Sequence, residues 1–218
     1  MSNNILSLIE NSPYDESTEK ALTEYVLEEF NGTKPYLFEA NKALMKIYQI
    51  NANNTKADIV ARIMALSLMN LPSSDLLAIT YLIPRGIASD TVIETLLKRS
   101  DLLERGQYNE FWQSYPQTEI FSSPSFIKAI RNFILTNISD TFKSITKEHF
   151  QSALGLKDNE VNAFVDANKS LISSSAGDSI SFVAKSTHSV KAANENEGLV
   201  VGEILRIVNS VRECRTKK

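Results

Sequence analysis

The stretch YLFEANKALMKIYQI, Tyr36–Ile50, decides how the first half of the chain folds. On a helix of about 3.6 residues per turn its apolar side chains cover most of the circumference, and the polar stripe is narrow: Glu39, Lys42, Lys46 and Gln49. A surface helix has a narrower apolar face, so we expect this helix to be wedged between neighbours as the spine of a helical stack. Asn41 lies at the edge of the apolar side, and we expect its amide to bond the backbone of a neighbouring helix turn.

The composition is that of an ordinary globular chain with few turns. Of 218 residues, 43% are hydrophobic and 22% are charged, and the net charge of −3 argues against a generally basic, phosphate-seeking surface. Seven glycines are few, which favours a mainly α-helical fold. The single cysteine, Cys214, cannot form an internal disulfide. No apolar run is long enough for a signal peptide or a membrane span, so we expect a cytosolic protein, with the nucleus as the alternative.

Six segments in the first half have helical spacing with short breaks between them. Pro13 is expected to open the first helix at its initial turn, and Asn31-Gly32 to end it. The other five segments are residues 36–50, 59–69, 76–83, 89–106 and 108–115. Such a series predicts antiparallel helical hairpins stacked side by side over residues 1–123, HEAT-like but without a strict sequence repeat.

The second half changes character after the segment between Pro116 and Pro124. A long amphipathic helix from Phe126 to Phe142 precedes two short helices around Gly155. Two β-prone runs at residues 171–175 and 179–184 then predict a small β-hairpin. This order predicts a winged-helix domain over residues 124–187, and residues 188–218 comprise a polar loop, a C-terminal helix and a basic tail.

No constellation of residues indicates a catalytic or metal centre. A zinc site needs about four ligands at compact spacing, and His149, His188 and Cys214 share no such pattern. Neither a Rossmann nor a P-loop glycine pattern occurs, so no cofactor is expected. Glu28-Glu29 is the most visible acidic pair, and we interpret it as a solvated helix face because adjacent positions point about 100° apart. The chain is therefore predicted not to be an enzyme.

The predicted winged helix is poorly suited to DNA. Its second helix, Lys157–Asn168, carries one lysine against three acidic residues, Asp158, Glu160 and Asp166. Helix-turn-helix readers need cations there to meet phosphates, so no sequence-specific DNA binding is expected. Near the wing, three side chains are candidates for a weak RNA contact, with a solvated loop as the alternative: Lys185, His188 and Lys191.

The last predicted helix has the apolar seam of a coiled coil. The seam positions alternate three and four residues apart, and they are Val201, Ile204, Val208 and Val211. Leu205 adds apolar surface beside this seam. We interpret this helix as a partner-binding element that joins a bundle with a helix of another subunit. The alternative is that it folds back on the winged helix.

Three blocks of sequence carry a family resemblance: FEANKALMKIYQIN (Phe38–Asn51), MNLPSSDL (Met69–Leu76) and SDLLERGQYNEFWQSY (Ser100–Tyr115). They resemble the k-subunit family of eukaryotic translation initiation factor three, whose PCI-type scaffold is shared with small subunits of the proteasome lid and the COP9 signalosome. The winged-helix pattern ITKEHFQSALGLKDNEVNAFV is similar but less specific. In that pattern a Ser or Thr caps the second helix, and because Lys157 stands there, we expect the cap at Asp158.

The resemblance implies a non-catalytic scaffold subunit held by other subunits of the initiation factor, chiefly the l subunit. It also implies that the chain supports binding of the complex to the small ribosomal subunit during initiation. Two alternatives stay open at this point. One is the equivalent small PCI-type subunit of the proteasome lid or the signalosome, and the other is a winged-helix nucleic-acid-binding regulator.

Overall fold

A computed structural model describes residues 2–113, 120, 122–176 and 178–183 of the chain. Met1–Val183 form one compact unit. Its first helices are Ser2–Asn11 (α1), Glu16–Phe30 (α2), Phe38–Ile50 (α3), Ala57–Met69 (α4), Asp75–Tyr81 (α5), Thr91–Glu104 (α6) and Tyr108–Gln113 (α7), with 3-10 turns at Ala52–Asn54 and Arg85–Ile87. The later elements are Pro124–Thr141 (α8), Ser144–Thr146 (β1), Lys147–Leu154 (α9), Val161–Ala167 (α10), Ile172–Ala176 (β2) and Ser179–Phe182 (β3).

The mainly α-helical fold predicted from the sequence is confirmed, as are the long helix α8, the short helices α9 and α10 around Gly155, and the β2–β3 hairpin. None of the described helices is both long and apolar enough to cross a bilayer. The domain boundaries at residues 123/124 and 187/188 stay predictions. At the first of them, Pro124 occupies the first position of α8, where a missing backbone N–H is tolerated.

The first helices differ from the prediction at the N-terminus. Pro13 does not open a helix, since α2 begins at Glu16 with Asp15 as its N-cap. A helix that the sequence reading missed, α1, precedes it and packs on α2 and α3. Ile5 is buried there, with Leu8 and Ile9 packed against the core. A helix of ten residues is marginal on its own, so contact with its neighbours decides whether it forms.

The centre of the helical stack is α4, not α3. Nine of the 13 residues of α4 are buried, and it packs against α2, α3, α5, α6 and α8. Only six of the 13 residues of α3 are buried. The expectation that Tyr36–Ile50 is wedged between neighbours is confirmed, because α3 packs against α1, α2, α4 and α5. The expectation that it forms the spine of the stack was wrong. The predicted polar stripe is correct, because Glu39, Lys46 and Gln49 are exposed and Lys42 is partly so.

The winged-helix region has a three-stranded antiparallel sheet with the order β1-β3-β2. The strand β1 was missed because it has three residues, with Ile145 half-buried between two exposed neighbours. It pairs with the far side of β3, so that Ser144 lies opposite Ser181. Phe150 of α9 packs near Phe164 and Phe182, with ring centroids 6.2 and 6.4 Å away. These rings link the two short helices to the sheet.

Candidate functional site

The partner-binding residues predicted on the last helix lie outside the described residues. They are Val201, Ile204, Leu205, Val208 and Val211. Lys185, His188 and Lys191, the candidates for weak RNA contact, also lie outside them. Both assignments therefore stay predictions.

The second helix of the winged-helix motif is shorter than expected. It runs from Val161 to Ala167, so Asp158 and Glu160 precede it, and its one charged residue is Asp166. Asp158 does not cap the helix, because the N-cap position is Glu160. The Asp158 carboxylate instead accepts a hydrogen bond from the Gln151 side chain at 2.7 Å. Lys169 pairs with Asp166 at 2.9 Å. A helix without cations offers nothing for the phosphates that position a DNA-reading helix.

A buried carboxylate joins α2 to the start of α3. Glu29 is 4% exposed. Its carboxylate accepts hydrogen bonds from the backbone N–H of Leu37, the N-cap residue of α3, and from the Asn41 side-chain amide at 3.1 Å. A negative group at a helix N-terminus is favourable, because the N–H groups there have no partner within the helix. Glu29 thus does for α3 what a capping side chain does for other helices.

Burial raises the pKa of Glu29 to about 7, although the hydrogen bonds from Leu37 and Asn41 favour the ionised form. The interpretation of Glu28-Glu29 as a solvated face was therefore wrong for Glu29. The missed signal is its spacing, because Glu29 follows Leu22, Tyr25 and Val26 on the buried side of α2. The expectation for Asn41 was also wrong in detail, since it bonds a carboxylate on a neighbouring helix and not a backbone group.

A second polar contact joins α3 to α5. The Tyr36 hydroxyl, just before α3, donates to the Asp75 carboxylate at 3.0 Å. Asn70 donates to the same carboxylate oxygen at 3.0 Å. The bond from Tyr36 connects the segment two residues before the first block of the family resemblance to Asp75 in the second block. Asp75 acts here as a tether between segments.

The third block joins the helical stack to the winged helix. Trp112 of α7 donates its indole N–H to the Ala153 carbonyl at 2.9 Å. The Arg131 guanidinium, from α8, lies 5.8 Å from the Trp112 ring centroid. Arg131 also donates to the carbonyls of Leu154 and Gly155 at 3.1 and 2.9 Å, where α9 ends. A cation at a helix C-terminus satisfies carbonyls that have no partner within the helix.

Gly155 is required at this junction for two reasons. Its φ of +57° lies in the left-handed region that favours glycine. A Cβ added there would lie 2.6 Å from the Trp112 ring. The contacts of all three resemblance blocks thus hold segments of the fold together.

A catalytic arrangement is not formed in the part of the chain that the structure describes. No group of His, Cys, Asp and Glu side chains there could hold a metal ion. His149 is exposed and borders a groove of about 290 Å³ together with Ser152. The Ser152 hydroxyl donates to the backbone carbonyl of His149 at 3.1 Å, so it is not aligned with the imidazole as a nucleophile would be.

A family model described as the CSN8/PSMD8/EIF3K family matches residues 54–191, which is more than half of the chain. The chain belongs to the CSN8/PSMD8/EIF3K family. The matched range contains the second and third blocks of the resemblance and the winged-helix region, and it begins after the first block.

Relatives within the CSN8/PSMD8/EIF3K family are k subunits of an initiation factor. Eukaryotic translation initiation factor 3 subunit K of Dictyostelium discoideum is 35% identical over 146 residues, which are 66% of this chain and 59% of that relative. The protein of the same name from Drosophila grimshawi is 31% identical over 153 residues, or 68% of each chain. That from Culex quinquefasciatus is 30% identical over 152 residues, also 68% of each. The predicted resemblance to the k-subunit family is thereby confirmed.

Proposed function

We propose that the chain is a non-catalytic scaffold subunit of eukaryotic translation initiation factor 3, acting in the cytoplasm. The observation that carries this proposal is the family match, together with relatives named as subunit K at 30–35% identity. The site geometry agrees with it, because the polar contacts of Glu29, Asp75 and Trp112 connect helices. The alignment spans 59% of the Dictyostelium relative, so the complex, its partners and its role in initiation are all part of the proposal.

Within that complex, we propose that the l subunit is the main partner, and that the small ribosomal subunit is reached through the assembled factor. The seam of the predicted C-terminal helix is the proposed contact. A double variant, Ile204→Asp with Val208→Asp, should lose partner binding while the isolated chain keeps its helical circular dichroism. Global unfolding of this variant would instead assign the helix to the internal core.

The decisive experiment is affinity purification of the tagged full chain followed by mass spectrometry. Recovery of initiation factor 3 subunits, with the l subunit among the most abundant, is the expected result. Recovery of proteasome-lid or signalosome subunits without initiation factor subunits would overturn the proposal in favour of the equivalent subunit of those complexes. The family description includes both kinds of relative, so this alternative is the one to exclude first.

A winged-helix nucleic-acid regulator is the second candidate. Helix α10 opposes it, since Asp166 is its one charged residue. A fluorescence titration of the full chain with RNA and with duplex DNA at about 150 mM salt distinguishes the two functions. The scaffold proposal expects no binding to duplex DNA and at most a weak, salt-sensitive signal with RNA.

A further inference from the structure

Three large apolar side chains are exposed on two neighbouring helices, α3 and α5. Leu77 and Tyr81 lie one turn apart on α5 and are 58% and 79% exposed, and Ile50 at the end of α3 is 62% exposed. The two helix ends are in contact, because the Gln49 side chain donates to the Tyr81 carbonyl at 3.4 Å. Single exposed apolar residues are common, but a cluster of large ones marks an interaction surface. We call Ile50, Leu77 and Tyr81 the Tyr81 patch.

The patch is held on a fixed pair of helices. Hydrogen bonds join α3 to α5 near both ends, from Tyr36 to Asp75 at the start and from Gln49 to Tyr81 at the finish. Beneath the patch, each helix presents other side chains to the core: Ile47 and Tyr48 from α3, and Leu76 and Ile79 from α5. Leu77 and Tyr81 therefore lie on the solvent-facing side of α5, and the opposite side of the helix packs into the core with other residues.

The two stretches of sequence that contain the Tyr81 patch carry charged residues of one sign. Residues 40–57 and 76–89 contain no Asp or Glu, although the whole chain carries a net charge of −3. Lys46 lies one turn before Ile50, and Arg85 lies four residues after Tyr81. Both cations are exposed, and within the described residues neither forms an ion pair. An apolar centre with a cationic border complements an apolar stripe flanked by carboxylates.

We propose that the Tyr81 patch binds an acidic amphipathic helix of another protein. Apolar residues of the partner at helical spacing would cover Ile50, Leu77 and Tyr81, and its Glu or Asp side chains would meet Lys46 and Arg85. A second copy of this chain fits less well, because two copies joined through this patch would bring like charges together. RNA also fits less well, since Ile50 and Leu77 offer no contact to phosphate. The Tyr81 patch and the proposed C-terminal seam involve different residues of the sequence, so separate variants test the two proposals and they can fail independently.

The test measures fluorescence anisotropy of a labelled synthetic helix with leucines at i, i+3 and i+4 spacing and glutamates between them, titrated with the full chain. We expect binding that weakens with salt, and at least about a tenfold loss of affinity in Leu77→Ser and in Tyr81→Ser. Tyr14→Ser is the matched control, because Tyr14 is a tyrosine 59% exposed outside the patch, and it should bind as the native chain does. A double variant, Lys46→Glu with Arg85→Glu, should prefer a control helix in which lysines replace the glutamates.

Four outcomes would overturn the proposal. The first is no binding of the acidic helix, and the second is unchanged affinity in both serine variants. The third is tighter binding of oligouridine than of the acidic helix, with the same loss in the serine variants, which would make the patch an RNA surface. The fourth is concentration-dependent self-association that Tyr81→Ser abolishes, which would assign the patch to a second copy. Circular dichroism of each variant checks that the fold is intact.

Discussion

Two helices of 13 residues each, α3 and α4, pack against one another but have different roles in the fold. Nine residues of α4 are buried and five other helices surround it, whereas α3 buries six residues and ends in the exposed Ile50. The comparison shows that a wide apolar circumference does not by itself make a helix central. Some of the apolar surface of α3 faces outward, as Ile50 does at its end.

The way in which each helix is held in place also differs. The side of α4 is filled by packed apolar residues. Its one buried hydroxyl, Ser67, donates to the Ile63 carbonyl of its own helix at 3.0 Å and also contacts the Tyr36 hydroxyl. α3 begins at polar contacts with other elements, through Glu29 and Asp75. Its position therefore depends on hydrogen bonds and on ionisation as well as on packing. Four predictions test this contrast, in decreasing order of expected effect.

The largest expected effect is in α4. Replacing the fully buried Ile63 with alanine removes side-chain contacts at the centre of the stack, and should lower the free energy of unfolding by about 2–5 kcal/mol. The matched control is Ile50→Ala at the end of α3, where the same substitution should change it by less than about 0.5 kcal/mol. Urea denaturation of both variants measures the difference. Equal losses would show that the two helices contribute alike to the core.

The sequence predicted much of this fold, because its longer helices repeat apolar residues at helical spacing over many turns. The bounds of α3 and α4 came within two residues, and the break between α9 and α10 at Gly155 was placed correctly. The local pattern of residues could not show which helix would be the most buried and have the most neighbours. The sequence ADIVARIMALSLM of α4 carries two charged residues, and α3 carries three, but neither count states how many neighbours will pack on the helix.

The polar contacts were the least predictable part. The acidic residue at position 29 has the spacing of the buried side of α2, but its burial depends on Asn41 lying opposite, on the next helix. Such a pairing is a property of tertiary packing, and the sequence of either helix alone does not contain it. The strand β1 was missed for a similar reason, since three residues have no pattern of their own and need β3 as a partner.

The second prediction concerns the capping contact. Asn41→Ala removes one of the two donors to the Glu29 carboxylate in a buried site, and should lower the free energy of unfolding by about 1–3 kcal/mol at neutral pH. The matched control is Asn70→Ala, where an exposed donor to Asp75 is lost and water can replace it. A loss at position 41 no larger than that at position 70 would contradict the assigned role of Glu29.

The third prediction uses the pH dependence of the free energy of unfolding to test the polar contact between Glu29 and the start of α3. Burial holds the pKa of Glu29 at about 7, above its ordinary value of 4.5, so the folded chain binds more protons than the unfolded chain between these values. The stability contributed by this group is full below about pH 4.5 and is lost as the pH rises through about 7. Further ionisable groups at this end of α3 are Tyr36, Asp75 and the ion pair of Glu39 with Lys42.

Glu29→Gln should remove this pH-dependent contribution. Its amide can still accept from the Leu37 N–H and, after rotation of the Asn41 amide, donate to Asn41. Because the ionised carboxylate keeps two hydrogen bonds and the surroundings can relax, we expect the native chain to lose about 1–2 kcal/mol relative to this variant between pH 5 and 8. Parallel curves of unfolding free energy against pH would show that Glu29 titrates normally.

The smallest expected effect is at the contact between α3 and α5. Tyr36→Phe removes the hydroxyl that donates to Asp75 and leaves the ring in place, and should lower the free energy of unfolding by about 0.5–1.5 kcal/mol. The loss is limited because Asn70 still donates to the same carboxylate. Tyr14→Phe, at an exposed tyrosine, is the control and should have no measurable effect. Since this contact also fixes the helix pair that carries Ile50, Leu77 and Tyr81, Tyr36→Phe should increase amide hydrogen exchange in α5 more than in α4. Equal exchange in the two helices would mean that α5 is held by packing alone.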